Sequence, residues 1–64
     1  MVLYNLYLVL INETIKVFDN AIQRVVYEGS SEDIPSELMN ELVHDMTMVY
    51  EKDRDKAYFL IHLN

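Results

Sequence analysis

Glu28-Gly29-Ser30-Ser31-Glu32-Asp33-Ile34-Pro35-Ser36 holds the only glycine and the only proline of a 64-residue chain. Glycine frees the backbone dihedrals and proline restricts them, so a window with both is where a chain reverses direction. On either side lies a long stretch with neither residue, and the two stretches are of similar length. That plan describes two elements folded back on one another at a single turn.

Outward from the window toward the N-terminus, the polar residues are Glu28, Arg24, Gln23, Asn20, Asp19, Lys16, Glu13 and Asn12. Between them Tyr4, Tyr7, Ile11, Thr14, Phe18, Ala21 and Val25 fall at alternating spacings of three and four, the period of a helix face. The spacing predicts a helix over about 2–28, with Gly29 just past its end. Residues 2–11 are apolar on all sides, and periodicity there does not separate a buried helix from a buried strand.

Toward the C-terminus, residues 29–34 read as the turn. Ser31 or Asp33 can cap the second element, and Pro35 suits a first helical turn, where its missing N–H is not needed. Leu38, Leu42, Met46 and Val49, then Ala57, Leu60 and Ile61, form the next apolar stripe. The expectation is a second helix over about 35–62. The run Glu51-Lys52-Asp53-Arg54-Asp55-Lys56 leaves no dry face on such a helix. It reads as a solvated helical segment, or else as a turn leading into a strand over 57–63. The expected fold is therefore all-α: a single domain over 1–64, built as a two-helix antiparallel hairpin. The alternative is an α+β fold with N- and C-terminal strands paired.

A two-helix hairpin cannot hide a chain that is 52% hydrophobic, and there is no cysteine to staple it. Association is the remaining route to stability. A homodimer closing into a four-helix bundle would use Leu3, Leu6, Leu10, Phe59, Leu60 and Leu63 as its interface.

The net charge of −6 is unevenly spread. From Glu28 to Glu51 there are seven acids and no lysine or arginine. On a helix Glu37, Glu41 and Asp45 would form one ridge, with Glu32 and Asp33 in the turn beside it. These five residues are the candidate site for a larger protein partner with a basic surface. The surplus of acid argues against free nucleic acid as the main partner. A rival reading keeps nucleic acid, with Lys16, Lys52, Arg54 and Lys56 contacting phosphates across a homodimer. A second rival anchors Met1–Ile11 at a membrane surface, although that stretch is about half a bilayer span.

No catalytic, cofactor-binding or metal-ligating set stands out. Glu41 and His44 have the spacing of a di-iron motif, but with Leu42 facing a core His44 would point away. The serines sit in or beside the turn. The expectation is a non-enzymatic, cytoplasmic, acidic interaction protein, a regulator or inhibitor, with no cofactor.

Overall fold

Ile15 and Val17 are fully buried while their neighbours Thr14 and Lys16 are not, the alternation of a strand with one face covered. The computed structural model describes residues Met1–Asn64 and is mostly β. A short helix α1 (Leu3–Val9) precedes strands β1 (Thr14–Asp19) and β2 (Arg24–Ser30). Two single turns of 3-10 helix come next, Ser31–Asp33 and Ser36–Leu38, and then β3 (Val43–Glu51) and β4 (Lys56–Leu63). The strands form one sheet in the order β2-β1-β4-β3. β1 pairs antiparallel with β2, β3 antiparallel with β4, and the two hairpins join where β1 runs parallel to β4.

The all-α expectation is thus overturned, and with it the helices over 2–28 and 35–62, the hairpin turn at 29–34 and the four-helix bundle. Three turns built without glycine or proline explain the difference. Asn12, Gln23 and Asp55 each have a positive φ, near 57°, 60° and 51°. Polar residues tolerate that region better than bulky ones. Asn12 ends the link from α1 to β1. After Asp19 the chain reverses over four residues. The Asp19 carboxylate accepts the Ala21 N–H at 2.8 Å, and the Gln23 N–H reaches the Asp19 carbonyl at 2.8 Å. The charged run is the third turn: the Arg54 N–H donates to the Glu51 carbonyl, and the Tyr50 hydroxyl donates to Asp55 at 2.6 Å.

Residues 57–63 are strand, but their neighbours are β1 and β3 rather than the N-terminus. Residues 2–11 supply α1 and only an isolated bridge, Val2 to Leu42. Gly29 lies inside β2 with φ near 149°, opposite Ile15, and the Tyr27 ring folds over it.

One face of the sheet holds the core. Leu3, Leu6 and Leu10 pack on Ile15, Val17, Ile61 and Leu63, with Ile34 from the long connection. α1 begins beside the start of β3, where Leu3 N–H donates to the Glu41 carbonyl and Val43 N–H to the Met1 carbonyl. It ends beside the β1–β2 strands, where the fully buried Ser31 hydroxyl donates to the Leu10 carbonyl at 2.7 Å and accepts the Glu13 N–H at 3.0 Å. The helix therefore crosses the sheet obliquely. No helix of the chain is long and apolar enough to cross a membrane.

Candidate interaction surface

Residues opposite one another in an antiparallel pair share a face. Met46 lies opposite Ile61, Met48 opposite Phe59 and Tyr50 opposite Ala57, so these residues extend the same face that carries the core. The oblique helix does not reach the far end of that face. Met48 is 66% exposed, Tyr50 59% and Met46 39%, while Phe59 is half-buried. The result is an uncovered apolar corner between α1 and the free edge of β3. Its side chains, Met46, Met48, Tyr50, Ala57 and Phe59, carry no carboxylate, ammonium or guanidinium group. At one end Met1, Leu6, Val43, His44, Asp45 and Met46 line a shallow groove of about 260 Å³.

The opposite face of the sheet is composed differently. Lys16, Glu28, Asp45, Glu51 and Lys56 alternate there with half-buried Phe18, Tyr58 and Leu60. Lys16 lies 3.8 Å from Glu28 and 4.9 Å above the Tyr58 ring, and Arg54 lies 3.9 Å from Glu51. These side chains surround a cleft of about 330 Å³ at the end of the sheet where β1 and β4 begin. Charges interspersed with apolar groups suit a face that meets water.

β3 is also an edge strand. Nine residues long, it has no proline, glycine or lysine; β4 pairs with one side, and on the other Met1 takes the Val43 N–H beside the Val2–Leu42 bridge, leaving the edge free from His44 onward. Its main chain presents a row of unpaired groups to the solvent side. A bulge at Val43–Asp45 is its one irregularity. β2, the other edge, contains Gly29 and the irregular pairing at Val17–Phe18. Those are among the features that blunt an edge.

The structure disperses the acidic site read from the sequence. Glu32 and Asp33 are exposed in the first 3-10 turn, Glu37 is exposed in the second, and Glu41 lies in the link before β3. Asp45 is on β3, where it meets His62 Nδ1 at 2.8 Å and His44 Nε2 at 3.9 Å. No α-helix runs through these residues, so Glu37, Glu41 and Asp45 form no ridge. The residues read as a dimer interface are mostly occupied within one chain. Leu3, Leu6, Leu10 and Leu63 are buried in its core, Phe59 packs against that core, and Leu60 is half-buried on the opposite face. By contrast, the structure does bring Lys16, Arg54 and Lys56 to one cleft.

Two tyrosines have raised pKa values. Burial holds the Tyr27 phenol above its ordinary range, helped by the nearby Asp33 carboxylate; its hydroxyl donates to the Ser30 carbonyl at 2.6 Å. Tyr50 is raised first by the hydrogen bond it donates to Asp55 and then by desolvation. Both therefore act as neutral hydroxyl donors at neutral pH, and Tyr50 adds no charge to the corner.

The corner is hidden in the sequence because Met46 and Val49 also fit one helix stripe. As a strand, Met46, Met48 and Tyr50 line one face, while Thr47 and Val49 line the other. The β-forming residues Thr47, Val49 and Tyr50 are the signal that could have found it. No protein-family model matches the chain, and comparison with curated proteins and with solved structures returns no match.

Proposed function

We propose that this chain is a non-enzymatic association module, working in the cytoplasm, that accepts a strand from another polypeptide along the free edge of β3. The observation that carries this reading is the combination of an edge that runs free and regular after the bulge at Val43–Asp45 with exposed Met46, Met48 and Tyr50 on the same strand. Main-chain pairing would supply affinity, and alternate side chains would set the register, as in strand addition to other open sheets. The apolar corner would gain a neighbour, and the charged opposite face would stay in water. The absence of cysteine suits a reducing compartment.

Isotope-labelled protein titrated with extract of its host tests the reading by NMR. The β3 amide signals should shift or broaden first, and its outward amides should gain protection from exchange. Changes confined to β2, or to the 3-10 turns that carry Glu32, Asp33 and Glu37, would refute it.

One observation favours a second reading, phosphate-backbone binding. Lys16, Arg54 and Lys56 share a cleft with Tyr58, an arrangement that would admit a single strand with a stacked base. Glu28 and Glu51 stand in the same cleft, and the chain as a whole is acidic. For those reasons it comes second. A gel shift with single-stranded oligonucleotides at rising salt decides it: retardation at low salt that vanishes with salt supports binding, and none at any salt removes it.

A further inference from the structure

We infer that the strand added to β3 is β3 of a second copy, paired antiparallel about a two-fold axis through Thr47; this rests on the edge-pairing reading above.

Self-pairing must satisfy both faces at once. A two-fold axis perpendicular to the sheet keeps each copy's apolar corner on the same side. Met1 holds the outward N–H of Val43, and the bulge at Val43–Asp45 marks that end of the strand. Thr47 is the midpoint of the free run 44–50, so an axis there lets that run overlap its copy. Met46 then lies opposite Met48 of the second copy, twice over, and the four methionines form one apolar cluster. Asp45 lies opposite Val49 and Glu51 falls past the end of the shared ladder, so no two acids face each other. An axis one residue later, at Met48, would set Asp45 against Glu51 on both sides of the dimer. Like charges directly opposed destabilise a strand pair. An axis one residue earlier, at Met46, would set Val49 against Val43, whose outward N–H Met1 already holds, and shorten the ladder. Charge and length therefore select Thr47.

The need for a partner is visible in the chain itself. Eight apolar side chains form the whole buried core of 64 residues, and the longest strand lies at an edge. Chains of this size without disulfides commonly draw stability from association. Paired at β3, two copies make one eight-stranded sheet in the order β2-β1-β4-β3-β3-β4-β1-β2. The two α1 helices then stand on one face, with the uncovered corners meeting between them as a single apolar trough.

The chain has no cysteine, so one introduced thiol gives an unambiguous readout. Residues facing each other across the axis have Cα atoms about 5 Å apart, within disulfide reach. Two residues further along, the symmetric pair separates to about 14 Å. Thr47→Cys should therefore oxidise quickly to a covalent dimer, and Val49→Cys should not. Sedimentation of the unmodified chain should give a dimer at micromolar concentration. Met48→Lys should give a folded monomer, because Met48 is 66% exposed in one chain. Circular dichroism checks that this variant keeps its strands. A chain that is monomeric at every concentration, that grows into open-ended assemblies, or that cross-links as fast through Val49→Cys as through Thr47→Cys overturns the inference. If the monomer's β3 amides still respond to host extract, strand addition stands and only the second copy is refuted. If they do not respond, both fall.

Discussion

Ser31→Ala removes one oxygen atom from the junction that seats α1 on the sheet. Ser31 is fully buried. Its hydroxyl donates to the Leu10 carbonyl at 2.7 Å and accepts the Glu13 N–H at 3.0 Å, so it joins both ends of the link between α1 and β1. The serine's own N–H donates to the Glu13 carbonyl at 2.7 Å and survives the substitution. Alanine leaves a buried carbonyl and a part-buried amide without their serine partner. Each unsatisfied buried group costs about 1–3 kcal/mol, and the part-buried Glu13 amide falls at the low end, so the pair should cost about 2–4 kcal/mol. A chain of this length has a total stability of roughly 3–10 kcal/mol. Because 1 kcal/mol moves the melting point of a small domain by about 4–8 °C, the variant should melt roughly 10–25 °C lower. Thermal denaturation followed by circular dichroism measures this. Exchange of the Glu13 amide should also accelerate more than that of Val17, which lies in the interior of β1. A melting point within about 3 °C of the parent would refute the assignment of Ser31 as the tie.

Gly29→Ala should destabilise by about 1–3 kcal/mol, since alanine is strained at φ near 149° and its Cβ would lie 3.0 Å from the Tyr27 hydroxyl oxygen. The loss should persist in a Tyr27→Phe background, where the contact is relieved and the backbone strain is not; urea titration reads both. A raised tyrosine pKa means the folded chain holds its phenol protons more tightly than the unfolded chain. The Tyr27 contribution is thus fully present below the ordinary value of about 10 and is lost as pH rises through the higher folded value. Tyr27→Phe should therefore lose less stability than the parent between neutral pH and pH of about 11, and equal losses would disprove the linkage. Ile61→Ala should cost about 2–5 kcal/mol, because Ile61 is fully buried under α1 in the parallel pair with Val17; a chemical-denaturation midpoint close to the parent's would show that the site collapses without loss.

How much of the fold is legible in the sequence varies element by element. The window Gly29–Pro35 is not the hairpin turn: Gly29 and Ser30 belong to β2, and the window holds only the first 3-10 turn and the start of the long connection between the hairpins. Its weight is smaller than composition suggests, because glycine and proline are not the only strong breakers. Asn12, Gln23 and Asp55 take positive φ with side chains, and side-chain acceptors at Asp19 and Asp55 close two of the turns. Within β1, the alternation of Thr14, Ile15, Lys16 and Val17 also satisfies a helical template, since a six-residue strand is too short to separate the two periods. The six-charge run is the clearest signal of a turn, and its assignment to a solvated helix does not hold. The acidic ridge depends wholly on helical spacing, so it disappears with the helix. Convergence of Lys16 with Arg54 and Lys56 does not depend on that spacing. The parallel register of β1 and β4 brings those residues together, and no local pattern encodes it.

The half-covered face has a simple cause in the lengths of the elements. At a rise of about 1.5 Å per residue, the seven residues of α1 span about 10 Å. β3 and β4, with nine and eight residues, run about 27–30 Å. One short helix cannot shield a sheet of those dimensions, and the connection Ser31–Leu42 contributes only Ile34, Leu38 and Met39 to the core cluster. Evolution of a solitary chain would be expected to place charge wherever cover is missing, as on the opposite face with Lys16, Glu28, Glu51 and Lys56. Met46, Met48, Tyr50, Ala57 and Phe59 do not obey that rule. Either stability is lost there for no return, or a second layer arrives from outside the chain. The edge of β3 adjoins this corner, so one strand pairing would satisfy its free main chain and gather the exposed methionines in the same step.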